Sequence, residues 1–591
     1  MRALRSADLA RTNQRIAVVR AVLIVALALI AGRAGWLATD DRAASRGRVQ
    51  SDAELHVRAT RGEIQDRSGR QLAVSVDAPS VFVEPRKIAS PRATARKLAR
   101  ALGMSAEHVE KRITGTRGNF AFVARWISEE AKERVLALDL EGVGIVPEPK
   151  RLYPQGNLAG TVVGFMNVDE IGVQGVEKRE QDWLQGTLKS YPVERDAHGR
   201  KLPLQGVDPR ATHGGDVRLT LDGSMQAVAE EALDQTVKRF EALGGVLVAL
   251  DPRNGDLLAV AERPGFDPNR FRKTDFRASR ARSFTDAEEP GSVMKAFVVA
   301  AALEHGVVRP DEEIDCEGGQ FHVPGKTIHD HEPYDLLDLA GILAHSSNIG
   351  ATKLAYRLGP QRHYEMLRAF GFGRRSGIGF SGESAGLLRD WERWRPVDQA
   401  NIAFGQGINV TAVQLAAATA TLANGGFWRR PRLVAARRPP GGAWSPARPS
   451  EPRRALSTET ADRVLSLLEN VVSPIGTGRL AGLHGVRVAG KTGTAQKLDR
   501  ENRRYYDDRF VAWFVGVVPA DDPKLVIVAA VDDPVGPLHS GGTVAAPLFA
   551  EVAASSLLHM GIYTRPEPIA KALASNATGG ASMRLAARDD D

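Results

Sequence analysis

A serine and a lysine three residues apart are the side chains in this sequence whose types and spacing first suggest chemistry. Ser292 follows Pro290 and Gly291, which break the chain, and precedes an apolar run from Val293 to Leu303. This pattern predicts a buried helix that begins at the serine. Because residues three apart share a helix face, the amine of Lys295 can reach the Ser292 hydroxyl and take its proton. The lysine can do so if burial or nearby cations lower its pKa by roughly 3 units.

Two further motifs change how this pair is interpreted. A chain of this length should hold about two Ser-x-x-Lys pairs by chance, so the pair alone does not identify an active site. Ser346 and Asn348 supply a hydroxyl and an amide further along the chain, and residues 491–494 read Lys-Thr-Gly-Thr. A chance Lys-Thr-Gly-Thr in such a chain has a probability on the order of 1%. Together and in this order, the three motifs resemble the active site of penicillin-recognising acyl-serine enzymes.

The resemblance implies a role for the polar residues of these motifs. Ser292 would attack the carbonyl between two D-alanines of a peptidoglycan stem peptide, and Lys295 would take its proton. Ser346 would relay a proton between Lys295 and Lys491 and protonate the leaving amine. Asn348 would orient Lys295 and bind the substrate amide. Like-charge repulsion from Lys491 would help to keep Lys295 neutral.

The Lys-Thr-Gly-Thr stretch is expected to hold the substrate. Thr492 and Thr494 can bind its terminal carboxylate, and Gly493 leaves room for an extended peptide to pair with the strand edge. The backbone N–H groups of Ser292 and Thr494 are expected to form the oxyanion hole. An amine from a second stem peptide would then close a cross-link. The resemblance also implies that β-lactams acylate Ser292 as mimics of D-Ala-D-Ala.

Composition and charge limit what else the chain can do. With 591 residues, of which 43% are hydrophobic and 25% charged, it is globular and too long for one ordinary domain. The net charge of +8 suits an anionic membrane surface or acidic polymers, but no nucleic-acid module is present in the sequence. The single cysteine, Cys316, permits no internal disulfide. His329, Asp330 and His331 lack a third His or Cys at a metal-site spacing, so we expect no metal and no cofactor.

An apolar stretch near the N-terminus predicts a membrane anchor. Residues 16–39 are mostly apolar, interrupted by Arg20 and Arg33, and about 20 residues span a bilayer core. A cleaved signal peptide is the alternative, but the cleavage site is poor and the apolar segment continues through Trp36. Arginines before the span predict that residues 1–15 form a cytoplasmic arm. The rest of the chain would then lie on the outer, extracytoplasmic side of the inner membrane.

A second domain is predicted between the anchor and the catalytic motifs. An Arg-rich linker over 40–54 leads into residues 55–210, where helical pieces alternate with short β-rich runs. The run from Arg61 to Ala73 resembles the signature that opens the non-catalytic domain of class B penicillin-binding proteins. Stretches over 151–154 and 172–177 resemble the same domain. We therefore expect an α+β pedestal.

The predicted catalytic domain covers residues 211–565. The resemblance implies the α/β transpeptidase fold of the penicillin-recognising acyl-serine enzymes, a mixed sheet with helices. A helix is predicted over 224–243 and a turn at Asn254-Gly255. A tail over 566–591 is expected to be disordered. The strands of the sheet are predicted over 245–250, 257–261, 510–518 and 525–531.

The sequence thus favours a membrane-anchored D,D-transpeptidase that acts in septum synthesis. Runs over 31–37 and 66–76 resemble the septal branch of class B enzymes, which implies a separate membrane glycosyltransferase and other division proteins as partners. An elongation transpeptidase shares the catalytic motifs and is one alternative. A scaffold that mainly activates a partner glycosyltransferase is another. The anchor and pedestal argue against a β-lactamase, and a β-lactam-sensing receptor would need several more membrane spans.

Overall fold

The computed structural model describes residues 2–39, 53–57, 59–115, 118–187, 189–195, 201–202, 212–499, 501–502 and 504–567. Most of the predicted linker over 40–54, and the predicted tail beyond residue 567, lie outside these ranges. The chain divides into two compact units, one formed by Met1–Thr60 with Gly186–His213 and the other by Arg61–Gln185 with Gly214–Asp591.

The first unit contains the predicted anchor. A helix extends over Arg2–Thr39 and includes both the predicted arm and the predicted span. Its segment Gln14–Trp36 is long and apolar enough to cross a membrane, and none of that span is buried by the rest of the protein. The Arg33 guanidinium lies 4.3 Å from the centroid of the Trp36 ring. The same unit has a three-stranded sheet in the order Ala53–Val57, Lys189–Arg195, Lys201–Leu202.

A seven-stranded mixed sheet links the pedestal to the C-terminal domain within the second unit. Ile64–Gln65 pairs antiparallel with Gln71–Val83 and in parallel with Asp216–Leu219. Strands from the two domains are therefore hydrogen-bonded to each other. The order is Ser445–Pro446, Val434–Arg438, Asp216–Leu219, Ile64–Gln65, Gln71–Val83 and Ala121–Ala124, with Val143–Leu152 also paired to Gln71–Val83. The pedestal helices are Pro91–Leu102, Ala106–Thr114, Glu129–Leu136, Gly160–Val163, Gly175–Arg179 and Gln181–Leu184.

The three pedestal stretches singled out in the sequence meet at one buried carboxylate. Arg61 Nε donates to Glu177 Oε2 at 2.6 Å, and Arg151 Nε donates to Glu177 Oε1 at 2.7 Å. Arg151 Nη1 also donates to the carbonyl of Gly62 at 2.8 Å. Burial raises the pKa of Glu177, but the charges of Arg151 and Arg61 more than offset this and hold it below its ordinary value. The network ties together segments that are far apart in the sequence.

The C-terminal domain is built on a five-stranded antiparallel sheet in the order Asp256–Arg263, Gly244–Asp251, Leu525–Asp532, Arg504–Val518, Ala489–Asp499. The hairpin predicted at the Asn254-Gly255 turn and the two predicted C-terminal strands are confirmed. Ala489–Asp499, which carries the Lys-Thr-Gly-Thr motif, is an edge strand of this sheet. One of its sides is therefore open to another extended chain.

Helices cover both faces of this sheet. Gly223–Arg239, the helix predicted over 224–243, packs with Ala546–His559 on one face, and Ala412–Ala423 packs on the other. Ala546–His559 lies in a segment apolar enough to pass as a membrane span, but that segment is mostly buried and belongs to the core. The other helices are Arg282–Thr285, Met294–Glu304, Leu339–Ala344, Asn348–Leu358, Pro360–Ala369, Pro396–Ala403 and Thr458–Glu469. Short strand pairs join Ile314–Asp315 to Leu336–Leu337, Gln320–Val323 to Lys326–His329, and Phe427–Trp428 to Arg453–Arg454.

Candidate active site

Ser292 lies in a single 3-10 turn, Gly291–Val293, which leads directly into the helix Met294–Glu304. The turn begins at a φ of 56° at Gly291, a conformation that glycine adopts without strain. Apart from Lys295 and Glu304 the helix is apolar, and its side chains from Met294 to Ala302 are buried. Ser292 itself is half-buried. A helix fixed in the core therefore holds the serine in place while the serine stays partly accessible.

Lys295 is fully buried, and its amine is surrounded by oxygen atoms. Nζ donates to Asn348 Oδ1 at 2.7 Å, to Ser346 Oγ at 3.1 Å and to the Ser346 carbonyl. Burial lowers the pKa of Lys295 to about 7, and the carboxylate of Asp330 opposes that effect. This matches the lowering that a lysine base requires. An amine with such a pKa is partly unprotonated near neutral pH and can accept a proton.

Ser346 lies between the two motif lysines. Its hydroxyl accepts a hydrogen bond from Lys491 Nζ at 3.0 Å in addition to the one from Lys295. Its φ of 61° is uncommon for a residue other than glycine and occurs where the surroundings enforce it. Burial, and then the charge of Lys295, lower the pKa of Lys491 well below its ordinary value. Burial is the main cause of the lowered pKa of Lys295. The repulsion between the two lysines that the sequence predicts also acts in this pair, where it lowers the pKa of Lys491.

Asp330 holds the second motif in place, and the sequence analysis missed it. Its carboxylate accepts hydrogen bonds from the N–H groups of Asn348 and Ile349 and from the Ser347 hydroxyl. These groups form the start of the helix Asn348–Leu358. In the sequence, Asp330 stands out only as part of the possible metal-binding run His329-Asp330-His331. The N–H groups at the start of a helix need a hydrogen-bond acceptor, but the sequence does not indicate which residue supplies it.

The third motif touches the nucleophile turn through Gly493. A Cβ atom at this position would lie 2.5 Å from the carbonyl oxygen of Pro290 and 2.9 Å from Val293 Cγ2. The space beside Gly493 is therefore filled by the protein. This corrects the expectation that the glycine leaves room for a peptide. The absence of a side chain lets the strand and the nucleophile turn approach each other.

The two motif threonines have different surroundings. Thr492 is buried, and its hydroxyl lies 2.8 Å from the hydroxyl of Thr477. Thr494 is exposed, and its hydroxyl accepts a hydrogen bond from Gly541 N at 3.1 Å. A Cβ atom on Gly291 would lie 3.4 Å from Thr494 N. The chain just before Ser292 thus runs close to the backbone of Thr494, as an oxyanion hole from these two residues requires.

The structure brings all three motifs together. Lys295, Ser346, Asn348 and Lys491 form one hydrogen-bonded network, although they come from separate elements. Among the hydrogen bonds of the described residues, none joins the Ser292 hydroxyl to Lys295. Catalytic hydrogen bonds are often loose before substrate binds. A cleft of about 770 Å³ lies beside the far end of the Lys491 strand and is lined in part by residues 495–498.

Comparison with known proteins agrees with this geometry. The family model of the penicillin-binding protein transpeptidase domain matches residues 245–554. The model of the penicillin-binding protein dimerisation domain matches residues 56–219, which include nearly all of the predicted pedestal over 55–210 and the first residues of the predicted catalytic domain.

Whole proteins resemble the chain over most of its length. Stage V sporulation protein D of Bacillus subtilis is 36% identical over 526 residues, which cover 88% of this chain and 81% of that protein. The peptidoglycan D,D-transpeptidase FtsI of Escherichia coli is 32% identical over 557 residues, covering 93% and 92% respectively. The crystal structure of penicillin binding protein 3 from Mycobacterium tuberculosis, complexed with aztreonam, has a TM-score of 0.67 at 29% identity and covers 87% of this chain and 98% of that chain. These matches confirm the predicted family and fold, and the chain belongs to the class B penicillin-binding proteins, the membrane-anchored peptidoglycan D,D-transpeptidases of the acyl-serine type.

Proposed function

We propose that this protein cross-links stem peptides during septum synthesis through an acyl-enzyme on Ser292. The observation that carries the chemical part is the buried network of Lys295, Ser346, Asn348 and Lys491 beside the serine. It places an amine with a pKa of about 7 on the helix that begins next to the nucleophile.

Acylation begins with the neutral amine of Lys295 as the general base. It takes the Ser292 proton while the oxygen attacks the carbonyl between the two D-alanines. The backbone N–H groups of Ser292 and Thr494 stabilise the negative charge that develops on the carbonyl oxygen. Ser346, which is hydrogen-bonded to both lysines, relays a proton to the leaving amine of the terminal D-alanine.

The donor peptide pairs with the open edge of the Lys491 strand. Main-chain hydrogen bonds to an edge strand hold an extended peptide in a fixed register. Thr494 is exposed and binds the terminal carboxylate through its hydroxyl. Because Thr492 is buried against Thr477, its role is to hold the strand in position.

The second half of the reaction is attack on the acyl-enzyme by an amine. The amine of another stem peptide attacks the acyl carbonyl and forms the new amide bond. Lys295 takes the proton that this amine loses and passes it to the Ser292 oxygen as the ester bond breaks. A β-lactam acylates the same serine because its strained amide stands in for the D-Ala-D-Ala bond. The cleft beside residues 495–498 offers space for the part of the ligand beyond the reacting amide.

Labelling with fluorescent penicillin tests this assignment. The wild type should form a stable covalent adduct, and Ser292→Ala should form none while keeping the wild-type thermal unfolding midpoint. Ser473→Ala, which changes a serine outside the site, should label like the wild type. An adduct that persists in the Ser292→Ala protein would move the nucleophile to another residue.

The cellular role rests on the anchor and pedestal. We assign residues 1–15 to the cytoplasm, 16–39 to the inner membrane, 55–210 to the pedestal and 211–565 to the catalytic domain in the periplasm. The helix segment Gln14–Trp36 is exposed on all sides, so lipid or a partner helix must cover it. A separate membrane glycosyltransferase would supply the glycan strands. The alternative is an elongation role, which the same catalytic residues would serve.

A further inference from the structure

We infer that Asp330 is a positioning residue that places the catalytic Ser346–Asn348 segment and, through its negative charge, favours the protonated form of Lys295. The inference rests on the proposed role of Lys295 as the general base. It assigns a function to a carboxylate outside the three motifs.

Asp330 lies against the start of the helix that carries the second motif. Asp330 directly follows the strand Lys326–His329 and is half-buried. Its carboxylate accepts from Ile349 N at 3.0 Å, from Asn348 N and from the Ser347 hydroxyl. The amide of Asn348 is held as well, because its Nδ2 donates to His329 O at 2.8 Å. Both the backbone and the side chain of Asn348 are thus fixed by the loop that carries Asp330.

Asn348 links Asp330 to the base. Asn348 Oδ1 accepts a hydrogen bond from Lys295 Nζ at 2.7 Å. A single residue therefore connects the carboxylate of Asp330 to the amine of Lys295. Other groups near the amine are Ser346, which is neutral, and Lys491, which is cationic or neutral. Among the described residues, Asp330 supplies the negative charge that opposes the effect of burial on the pKa of Lys295.

Among the described residues, no salt bridge includes Asp330, and the groups that face it are the Ser347 hydroxyl, the Cys316 thiol and the Tyr334 phenol. Burial raises the pKa of Cys316, and Asp330 adds to that effect. Burial, Glu332 and Asp330 raise the pKa of Tyr334 above its ordinary value. Both groups are neutral at working pH, so the carboxylate keeps its influence on the amine.

The consequence is a base matched to its working pH. Burial alone would lower the pKa of Lys295 further and leave a neutral but weaker proton acceptor. A general base is most effective when its pKa lies near the pH at which it operates. By opposing burial, Asp330 keeps the pKa of Lys295 near 7. The same carboxylate thus acts on both the geometry and the basicity of the site.

The test is the pH profile of acylation by fluorescent penicillin in the full-length protein. In the wild type the rate should rise with pH and reach half of its plateau near pH 7, because Lys295 must lose its proton. Asp330→Asn keeps an acceptor for the helix N–H groups but removes the charge. Its midpoint should move to lower pH by about one unit. At pH 6 the acylation rate of the variant, expressed as a fraction of its own plateau rate, should then be about fivefold higher than the same fraction for the wild type.

Two further variants separate charge from structure. Asp330→Ala should show the same shift together with a lower plateau, since the helix N–H groups lose their acceptor. Glu332→Gln removes the same charge from an exposed position of the same loop and should leave the midpoint unchanged. Thermal unfolding midpoints establish that each variant is folded.

The outcomes can be told apart. A lower plateau in Asp330→Asn without any movement of the midpoint, or a midpoint moved to higher pH, would overturn the inference and leave Asp330 as a helix cap. A wild-type protein that penicillin does not acylate at any pH would instead contradict the proposed function.

Discussion

At the level of single residues, the active site depends on the burial of two lysines, because burial determines whether their amines are charged. Lys295 and Lys491 are both completely buried, and two lysines in one core site would be costly if both were charged. The structure reduces this cost because burial lowers the pKa of each. Their amines share the hydroxyl of Ser346. A proton can therefore move along this short path without a charge crossing apolar surroundings.

Replacing the base tests this explanation. Lys295→Arg keeps a positive charge, but a guanidinium does not lose its proton in a protein and cannot take the one on Ser292. The second-order rate of penicillin acylation should fall by at least ~100-fold, the lower end of what general base catalysis contributes. Lys132→Arg, which changes an exposed lysine of the pedestal, should leave the rate unchanged. Acylation of the Lys295→Arg protein at near the wild-type rate would mean that another group is the base.

At the level of elements, the site is assembled where an edge strand meets the turn before a helix. Gly493 makes this contact possible, because a Cβ atom there would lie 2.5 Å from the carbonyl oxygen of Pro290. Gly493→Ala should push the strand away from the nucleophile. Since small misplacements of catalytic groups are costly, acylation should slow by about 10- to 100-fold.

A second glycine provides the control for that measurement. A Cβ atom on Gly265 would meet only the side chain of Arg263 at 3.4 Å and a carbonyl oxygen at 4.0 Å. Gly265→Ala should therefore keep the wild-type acylation rate. If Gly493→Ala also kept that rate, the close contact between strand and turn would not matter for catalysis.

The elements themselves were largely predictable, because local patterns determine them. Apolar alternation and the Asn254-Gly255 turn predict the first hairpin, and the apolar run after Ser292 predicts the buried helix. The three motifs also predict which polar side chains the site contains. Asp330 was not predictable in this way, since its partners Asn348 and Ile349 are joined to it only by the fold. The role of Gly493 could not be predicted from the sequence either, because it depends on which part of the backbone packs against this glycine in the fold.

At the level of the whole molecule, the pedestal and the catalytic domain share one sheet, and the pedestal contains a buried ion network. Glu177 is completely buried between Arg61 and Arg151. Glu177→Gln would leave two arginines without their counter-charge. Removing one partner of a buried pair costs about 3 kcal/mol or more, so the thermal unfolding midpoint should fall by several degrees. Glu129→Gln, at an exposed ion pair of the pedestal, should change it little.

The same network should make stability depend on pH. The arginines hold the pKa of Glu177 below its ordinary value. Its contribution to stability is therefore fully present above the unfolded-state pKa of about 4.3 and is lost as the pH falls through the lower folded-state pKa. The Glu177→Gln protein should lack this contribution. The difference in unfolding free energy between the wild type and this variant should therefore be smaller at low pH than at pH 7. An equal difference at both pH values would show that the charge of Glu177 does not stabilise the fold.

The cellular role is also a property of the whole molecule, because septal and elongation enzymes share the catalytic motifs. The anchor offers a physical basis for recruitment. Its apolar segment includes Ala26, Ala28, Gly32 and Gly35, and small residues let a neighbouring membrane helix approach closely. Arg33 lies against Trp36, as expected near a membrane interface. A partner glycosyltransferase that recognises this helix would bring the catalytic domain to new glycan strands.

Depletion and an anchor exchange test the septal assignment together. Depleting the protein should yield long filaments with unpinched septa, because cross-linking would stop at the septum while elongation continues. Replacing residues 16–39 with an unrelated span of equal length and the same flanking charges should keep the protein in the membrane but abolish its recruitment to midcell, as seen by fluorescence microscopy. An exchanged protein that still reaches midcell would mean that the pedestal, and not the anchor, carries the recruitment signal. Round, swollen cells on depletion would instead assign the protein to elongation.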